Sequence, residues 1–173
     1  MLRVCVLSGG LILTRTSSAA DFVSEDIATG KAGNTTPVGA DGFDVSGSGK
    51  DIWDSSDGFR FVYQKLSGDF EIRARVVSLQ NTNEWAKAGL MVRQATAAGS
   101  IHAMLAVTFA NGCAFQRRTE ADGESTSTAG PAAQAGNTWL RLVRAGKTVT
   151  AYVATDEQGK KWEQVGDETL EMG

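Results

Sequence analysis

The chain has 173 residues, enough for one domain and hardly for two. Hydrophobic residues make up 42% and charged residues 21%, which is ordinary for a globular domain and excludes a disordered chain. The net charge is −3, and a nucleic-acid-binding surface normally needs a basic excess, so nucleic acid is not an expected partner. The single histidine, His102, excludes a metal site built from several histidines.

The first 20 residues have the pattern of a secretory signal. Arg3 gives a positive start, residues 4–13 form a short apolar run, and Ser18-Ala19-Ala20 places small residues before a cleavage site. This pattern predicts a signal peptide over residues 1–20, a mature chain from Asp21, and a secreted or cell-surface location. The alternatives are a buried first strand and an incorrectly assigned start codon. No apolar run reaches 18 residues, so no membrane span is expected.

The first half of the remaining chain predicts an irregular lead-in and then strands. Residues 21–42 are polar and Gly-rich, and the short strand Phe43–Val45 follows them. Apolar and polar residues alternate over Phe59–Gln64 and again over residues 70–77. Ser67-Gly68-Asp69 lies between these two runs as a turn signal, so we expect them to form a hairpin. In the second run, one face is expected to be buried: Phe70, Ile72, Ala74 and Val76.

The second half predicts six further strands, with a long loop at residues 120–137. The strands are Ala86–Arg93, Ile101–Phe109, Cys113–Arg118, Trp139–Arg144, Thr148–Thr155 and Trp162–Val165. Ile101–Phe109 is apolar almost throughout, which is typical of a central strand that is covered on both faces. About ten short strands at this spacing indicate an all-β fold, an antiparallel sandwich of two sheets forming a single domain over residues 21–173.

One group of side chains suits sugar recognition. Trp85 follows the polar run 80–84 and lies close in the sequence to Lys87 and Arg93. Aromatic rings stack on the apolar faces of sugars, and planar or charged polar side chains orient the hydroxyl groups. We therefore predict a carbohydrate-binding site formed by Trp85, Lys87, Arg93, Gln116 and Arg118. The alternative is an ordinary set of solvated charges on the outer face of a sheet.

Two clusters of carboxylates are candidates for a catalytic site or a metal site. Glu120, Asp122 and Glu124 have the alternation that glycosidases of sandwich folds use for their catalytic pair. Asp122-Gly123 is, however, a strong turn dipeptide, which favours a solvated turn and leaves no catalytic residue predicted.

The second cluster surrounds Trp53. Asp51, Asp54 and Asp57 offer the hard oxygen ligands that calcium prefers. The stretch lacks the calcium-loop pattern, so no cofactor is predicted and calcium stays an alternative. His102 and Cys113 are each expected to be packed residues of the core.

Several motifs recur in the same order in a known family. This chain resembles the concanavalin-A-like jelly-roll domains of the regulation-of-enolase type, which are also appended to secreted bacterial glycosidases and to multidomain surface proteins. The resemblance covers residues 22–173 and implies a lectin-like or glucanase-like sandwich, with no catalytic residues to carry over. The motifs include Gly47-Ser48-Gly49-x-Asp51-Ile52-Trp53, Phe61-Val62-Tyr63-Gln64-x-Leu66-x-Gly68-Asp69, Trp85-Ala86-Lys87-Ala88-Gly89-Leu90-Met91-Val92-Arg93, Ser100-x-His102-Ala103 and Phe115-Gln116-Arg117-Arg118.

The resemblance also implies a longer domain, and a function is predicted from it together with the predicted sugar site. Similar domains continue past Met172-Gly173 with two more strands, so this chain is expected to lack its last strands. The predicted function is a non-catalytic carbohydrate-binding or adhesion module of an exported bacterial protein. Its partners would be a polysaccharide or glycan and other domains of a larger protein. The alternatives are a structural or protein-interaction domain without a small ligand, and a glycoside hydrolase.

Overall fold

The computed structural model describes the backbone of residues 2–7 and the whole of residues 21–136 and 138–172. Residues 8–20, which hold the predicted cleavage site, lie outside the described residues. Fifteen strands are described: β1 Leu2–Leu7, β2 Val23–Ile27, β3 Asn34–Val38, β4 Gly42–Ser46, β5 Ile52–Trp53, β6 Ser56–Asp57, β7 Phe59–Tyr63, β8 Phe70–Ser78, β9 Lys87–Arg93, β10 His102–Thr108, β11 Cys113–Arg118, β12 Thr126–Ala129, β13 Thr138–Ala145, β14 Thr148–Ala154 and β15 Glu163–Thr169.

The strands form antiparallel sheets. The largest has seven strands in the order β15-β14-β13-β8-β1-β4-β3, and the second has four in the order β12-β11-β10-β9. Two further pairs, β2-β7 and β5-β6, complete the described strands. Tight turns join β10 to β11 at Gly112 and β13 to β14 at Gly146, and both glycines adopt the positive φ angles that such hairpins require.

One hydrophobic core lies between the seven-stranded and the four-stranded sheet. Ala74 and Val76 of β8 are fully buried, as is Leu105 of β10. Leu140 and Leu142 of β13 join the same cluster. The apolar side chains of these strands therefore lie between the two sheets. The prediction of an all-β antiparallel sandwich is confirmed.

The predicted hairpin between residues 59–64 and 70–77 is wrong. β7 pairs with β2, whereas β8 pairs with β1 and β13 in the seven-stranded sheet. Gly68 does take the positive φ of a turn, at 73°. The connection carries the chain from one sheet to another, so alternation identified both strands but not their partners. The predicted buried face of β8 is confirmed.

The predicted lead-in at residues 21–42 and the predicted loop at 120–137 both contain strands. β2 and β3 lie in the first segment, and β12 lies in the second. All three are mostly polar and lack the apolar alternation that marks a strand, and β3 and β12 are also largely exposed. Pro37 is tolerated because β3 is the edge strand of its sheet.

β1 comes from the segment that the sequence assigns to a signal peptide. It lies inside the seven-stranded sheet, between β4 and β8. The described residues include no helix with the length and apolar character needed to cross a membrane.

Candidate functional site

The candidate site lies on the face of the four-stranded sheet that points away from the core. Strand register places Arg93, His102 and Arg118 side by side in one row across β9, β10 and β11. Met91, Met104 and Gln116 form the next row on the same face. The fold therefore brings Lys87, Arg93, Gln116 and Arg118 to one face of one sheet, because residues two apart on a strand share a side.

The β5-β6 hairpin covers part of this face. Ile52 packs against Met104 and Ala106 in a small second core. At the other end of the hairpin, the Asp57 amide donates to the Ala98 carbonyl at 3.0 Å. The hairpin thus excludes water from the middle of the sheet face, and the side chains beneath it must find partners within the protein.

Asp57 is the centre of a buried ion cluster. Its side chain is fully buried, and its two oxygens accept hydrogen bonds from Arg118 at 2.8 and 2.9 Å. Arg93 donates to the same carboxylate at 3.1 Å and is itself only 2% exposed. Burial lowers the pKa of the Arg93 guanidinium, and the charge of Asp57 opposes that shift. A buried charge of this kind is tolerated because oppositely charged groups surround it.

Arg118 has no donor left for a ligand in this arrangement. Its side chain is fully buried, and each of its three nitrogens donates to acceptors within the protein. Besides Asp57, these acceptors are Ser125 Oγ and the backbone carbonyls of Trp53, Asp54, Ala98, Ser100 and Gly123. Arg118 therefore fastens the β5-β6 hairpin and the neighbouring loops to the sheet.

His102 borders the same cluster and is neutral at pH 7. Burial lowers its pKa to about 4, and the positive charges of Arg118 and Arg93 act in the same direction against the opposing pull of Asp57. Its Nδ1 lies 3.3 Å from the Ser100 carbonyl. Because the ring is uncharged, its 3.5 Å approach to Asp57 is not an ion pair. The prediction of a packed, buried histidine is confirmed, as is the buried position of Cys113, whose pKa burial raises to about 12.

The side chains of the three aspartates that could serve as calcium ligands do not come together. Asp51 forms an ion pair with Lys87, Asp54 is exposed, and Asp57 is engaged by two arginines. Within residues 21–136 and 138–172, no group of three or more His, Cys, Asp or Glu side chains is placed to hold a metal ion.

A large groove opens beside the covered region. It has a volume of about 1570 Å³ and runs along β9 and β7, where two strand edges face it. Among the described residues, β9 pairs only with β10, and β7 pairs only with β2. Its lining includes Phe59, Phe61, Tyr63, Trp85, Lys87 and Met91.

Several aromatic rings line this groove. Phe61 and Tyr63 are stacked with ring centroids 4.9 Å apart, and Phe59 lies 5.5 Å from Phe61. Trp85 stands at the rim and is 47% exposed, which is unusual for the largest apolar side chain. Lys87 reaches Asp51 and the Ile52 carbonyl, so a charged pair lies close to these rings.

The five predicted site residues are therefore divided between two environments. Trp85, Lys87 and Arg93 line the groove, whereas Gln116 and Arg118 do not. Gln116 is buried, and its Oε1 has no hydrogen-bond partner in the described part of the chain. No pattern in the sequence indicates that Asp57 is the partner of two arginines, and the spacing of the β7 aromatics predicts only that they share one face of a strand.

The carboxylates at residues 120–124 lie in a solvated turn, as predicted. β11 ends at Arg118, and Asp122 has the positive φ of 57° that turn residues adopt. Glu120, Asp122 and Glu124 are all exposed. A turn cannot hold three carboxylates in the register of a strand, so the spacing seen in the sequence does not become a cleft-facing pair.

Comparison of the chain with protein-family models, with curated proteins and with solved structures gave no match.

Proposed function

We propose that the protein is a non-catalytic carbohydrate-binding or adhesion module of an exported protein, built on a concanavalin-A-like jelly roll. The observation that carries this proposal is the groove of about 1570 Å³ with the half-exposed Trp85 at its rim. A groove of this size can hold several sugar rings, and aromatic side chains are the usual platform for their apolar faces.

In this proposal the predicted site residues have two roles. Trp85 stacks on a sugar ring, and Lys87 with its partner Asp51 orients the hydroxyl groups. Arg93 lines the groove while its nitrogens bond to Asp57, Ala95 and Ala97. Gln116 and Arg118 support the covered part of the sheet face. Binding would be weak and reversible, as expected for an open groove with few donors.

The proposal is tested by calorimetric titration with soluble β-glucans and xylans and by a glycan array. We expect at least one glycan to bind at millimolar concentration or better, and Trp85→Ala to weaken that binding by about tenfold or more, which corresponds to the loss of one stacking contact. Phe109→Ala is the matched control, since Phe109 is 36% exposed and does not line the groove. Absence of binding, or equal binding by Trp85→Ala, contradicts the proposal.

A second candidate is a protein-interaction domain. The observation that favours it is the pair of strand edges, β7 and β9, that border the groove, because strand edges can receive a strand of another chain. Binding of a protein partner without any glycan would support this candidate. Release of reducing sugar, lost in Glu120→Gln or Glu124→Gln, would instead support a glycoside hydrolase.

A further inference from the structure

β1 occupies an inner position of the seven-stranded sheet. On one side it pairs with β4, from Leu2 opposite Val45 to Cys5 opposite Gly42. On the other side it pairs with β8, where Leu7 lies opposite Arg73. In the described structure β4 and β8 do not pair with each other. They are separated by a slot that is one strand wide and that residues 2–7 fill.

The slot lies next to the hydrophobic core. Ala74 and Val76 of β8 are fully buried, and Phe43 of β4 is 4% exposed. Without an occupant, two rows of backbone N–H and C=O groups would face each other without partners beside this core. An extended backbone satisfies both rows at once, and the hydrogen bonds that it makes do not depend on its side chains.

The chain holds β1 differently from the hairpin strands of the sheet. β13 and β14 are joined by a tight hairpin at Gly146, so each is positioned by its neighbour in sequence. β1 is instead separated from β4 and β8 by long stretches of sequence, and no hairpin links it to either. Its place in the sheet therefore depends on the fit of the strand itself.

We propose that the slot between β4 and β8 is a strand-acceptor site for an extended peptide. Residues 2–7 occupy it in the uncleaved chain, and a separate peptide with the sequence of residues 1–8 enters it when the chain's own strand is displaced. Removal of residues 1–20 on export would open the same slot. This proposal is independent of the proposed carbohydrate binding.

The first test uses the full chain carrying Val4→Pro, because proline lacks the N–H that an inner strand must donate. A fluorescent peptide of residues 1–8 is expected to bind this variant and to bind the unchanged chain at least about tenfold more weakly, since a tethered strand competes at millimolar effective concentration. The same peptide with Val4→Pro is the matched control and is expected not to bind. Equal binding to both chains, or no binding to a folded Val4→Pro chain, overturns the proposal.

The second test leaves the strand in place and does not depend on the folding of the proline variant. Cys5 lies opposite Arg75 in the register, and directly opposite residues have Cα atoms about 4.5–5.5 Å apart, within the range of a disulfide. Arg75→Cys in the full chain is expected to form a disulfide with Cys5 in oxidised glutathione, which accepts the two electrons and two protons.

The matched control for this disulfide is Arg73→Cys. Residue 73 lies opposite Leu7 and not opposite Cys5, so we expect no bridge in that variant. Mass spectrometry of the unreduced protein measures the loss of two hydrogens. A chain with Arg75→Cys that stays reduced, or a bridge that forms equally well with Arg73→Cys, overturns the proposal.

Discussion

The buried ion cluster and the open groove are neighbouring regions of the molecule, and their polar groups are in opposite environments. Beneath the β5-β6 hairpin, the side chains of Asp57, Arg93 and Arg118 are buried and bond to one another and to backbone carbonyls. Along β9 and β7, the groove leaves Trp85 half exposed beside stacked aromatic rings. Residue type alone does not decide the role of these side chains. A side chain that another segment covers supports the fold, whereas one that is left uncovered is available to a ligand.

This difference implies two kinds of mutational effect. Residues of the ion cluster should matter for stability, because each removed partner leaves a charge buried without compensation. Residues at the rim of the groove should matter for binding and hardly for stability, because water already solvates them in the free protein.

The largest effect is expected for Asp57→Asn. The substitution keeps the size of the side chain but removes the negative charge between two buried arginines. We expect the free energy of unfolding to fall by about 3–5 kcal/mol, the usual cost of removing one partner from a buried ion pair. Urea denaturation followed by fluorescence measures this change.

The matched control is Asp54→Asn, three residues away. Asp54 is exposed and has a φ of 49°, a conformation that asparagine also tolerates. We expect its free energy of unfolding to change by no more than about 0.5 kcal/mol. Equal effects of the two substitutions would remove the distinction between a buried cluster and a solvated surface.

A smaller effect is expected from acid, through His102. The unfolded chain binds a proton at this ring near pH 6.5, whereas the folded chain does so only near pH 4. Stability should therefore be unaffected by this group above about pH 6.5, fall as the pH decreases towards 4, and level off below that. The shift corresponds to a loss of about 3 kcal/mol across the window.

Comparison with His102→Gln isolates this contribution, since glutamine does not titrate and the chain has no other histidine. The groups that face the ring are Asp57, Arg93 and Arg118, and they are the same in both proteins. Denaturation at several pH values between 7 and 4 should show the unchanged chain losing more stability than the variant. Parallel pH profiles would mean that the ring is already solvated in the folded state.

The sequence predicted the elements of this fold better than their pairing. Alternation located β7 and β8 and the buried face of β8, because a half-buried strand has a period of two in its residues, and a continuous apolar run located β10. Alternation could not reveal that β7 pairs with β2, because it shows which face of a strand is buried and not which strand lies beside it. Polar strands such as β3 and β12 show no alternation of apolar and polar residues.

The same limit applies to the candidate site. Residues 87 and 93 share a face of β9, and the register places residue 118 of β11 on that face as well. Nothing in the spacing shows that a separate hairpin, much earlier in the chain, covers part of that face. The partner of both arginines, Asp57, lies in that hairpin and is distant in sequence from each of them.

The smallest effect is expected for the stability of Trp85→Ala. Trp85 is 47% exposed, so about half of the residue already contacts water in the folded protein, and truncation loses only part of the transfer free energy of a buried tryptophan. We expect the free energy of unfolding to change by about 1 kcal/mol or less in the same urea experiment. A loss of more than about 2 kcal/mol would place this ring with the packed residues, for which truncation removes many contacts at once. A large, half-exposed ring that contributes little to folding stability is available for a ligand to cover.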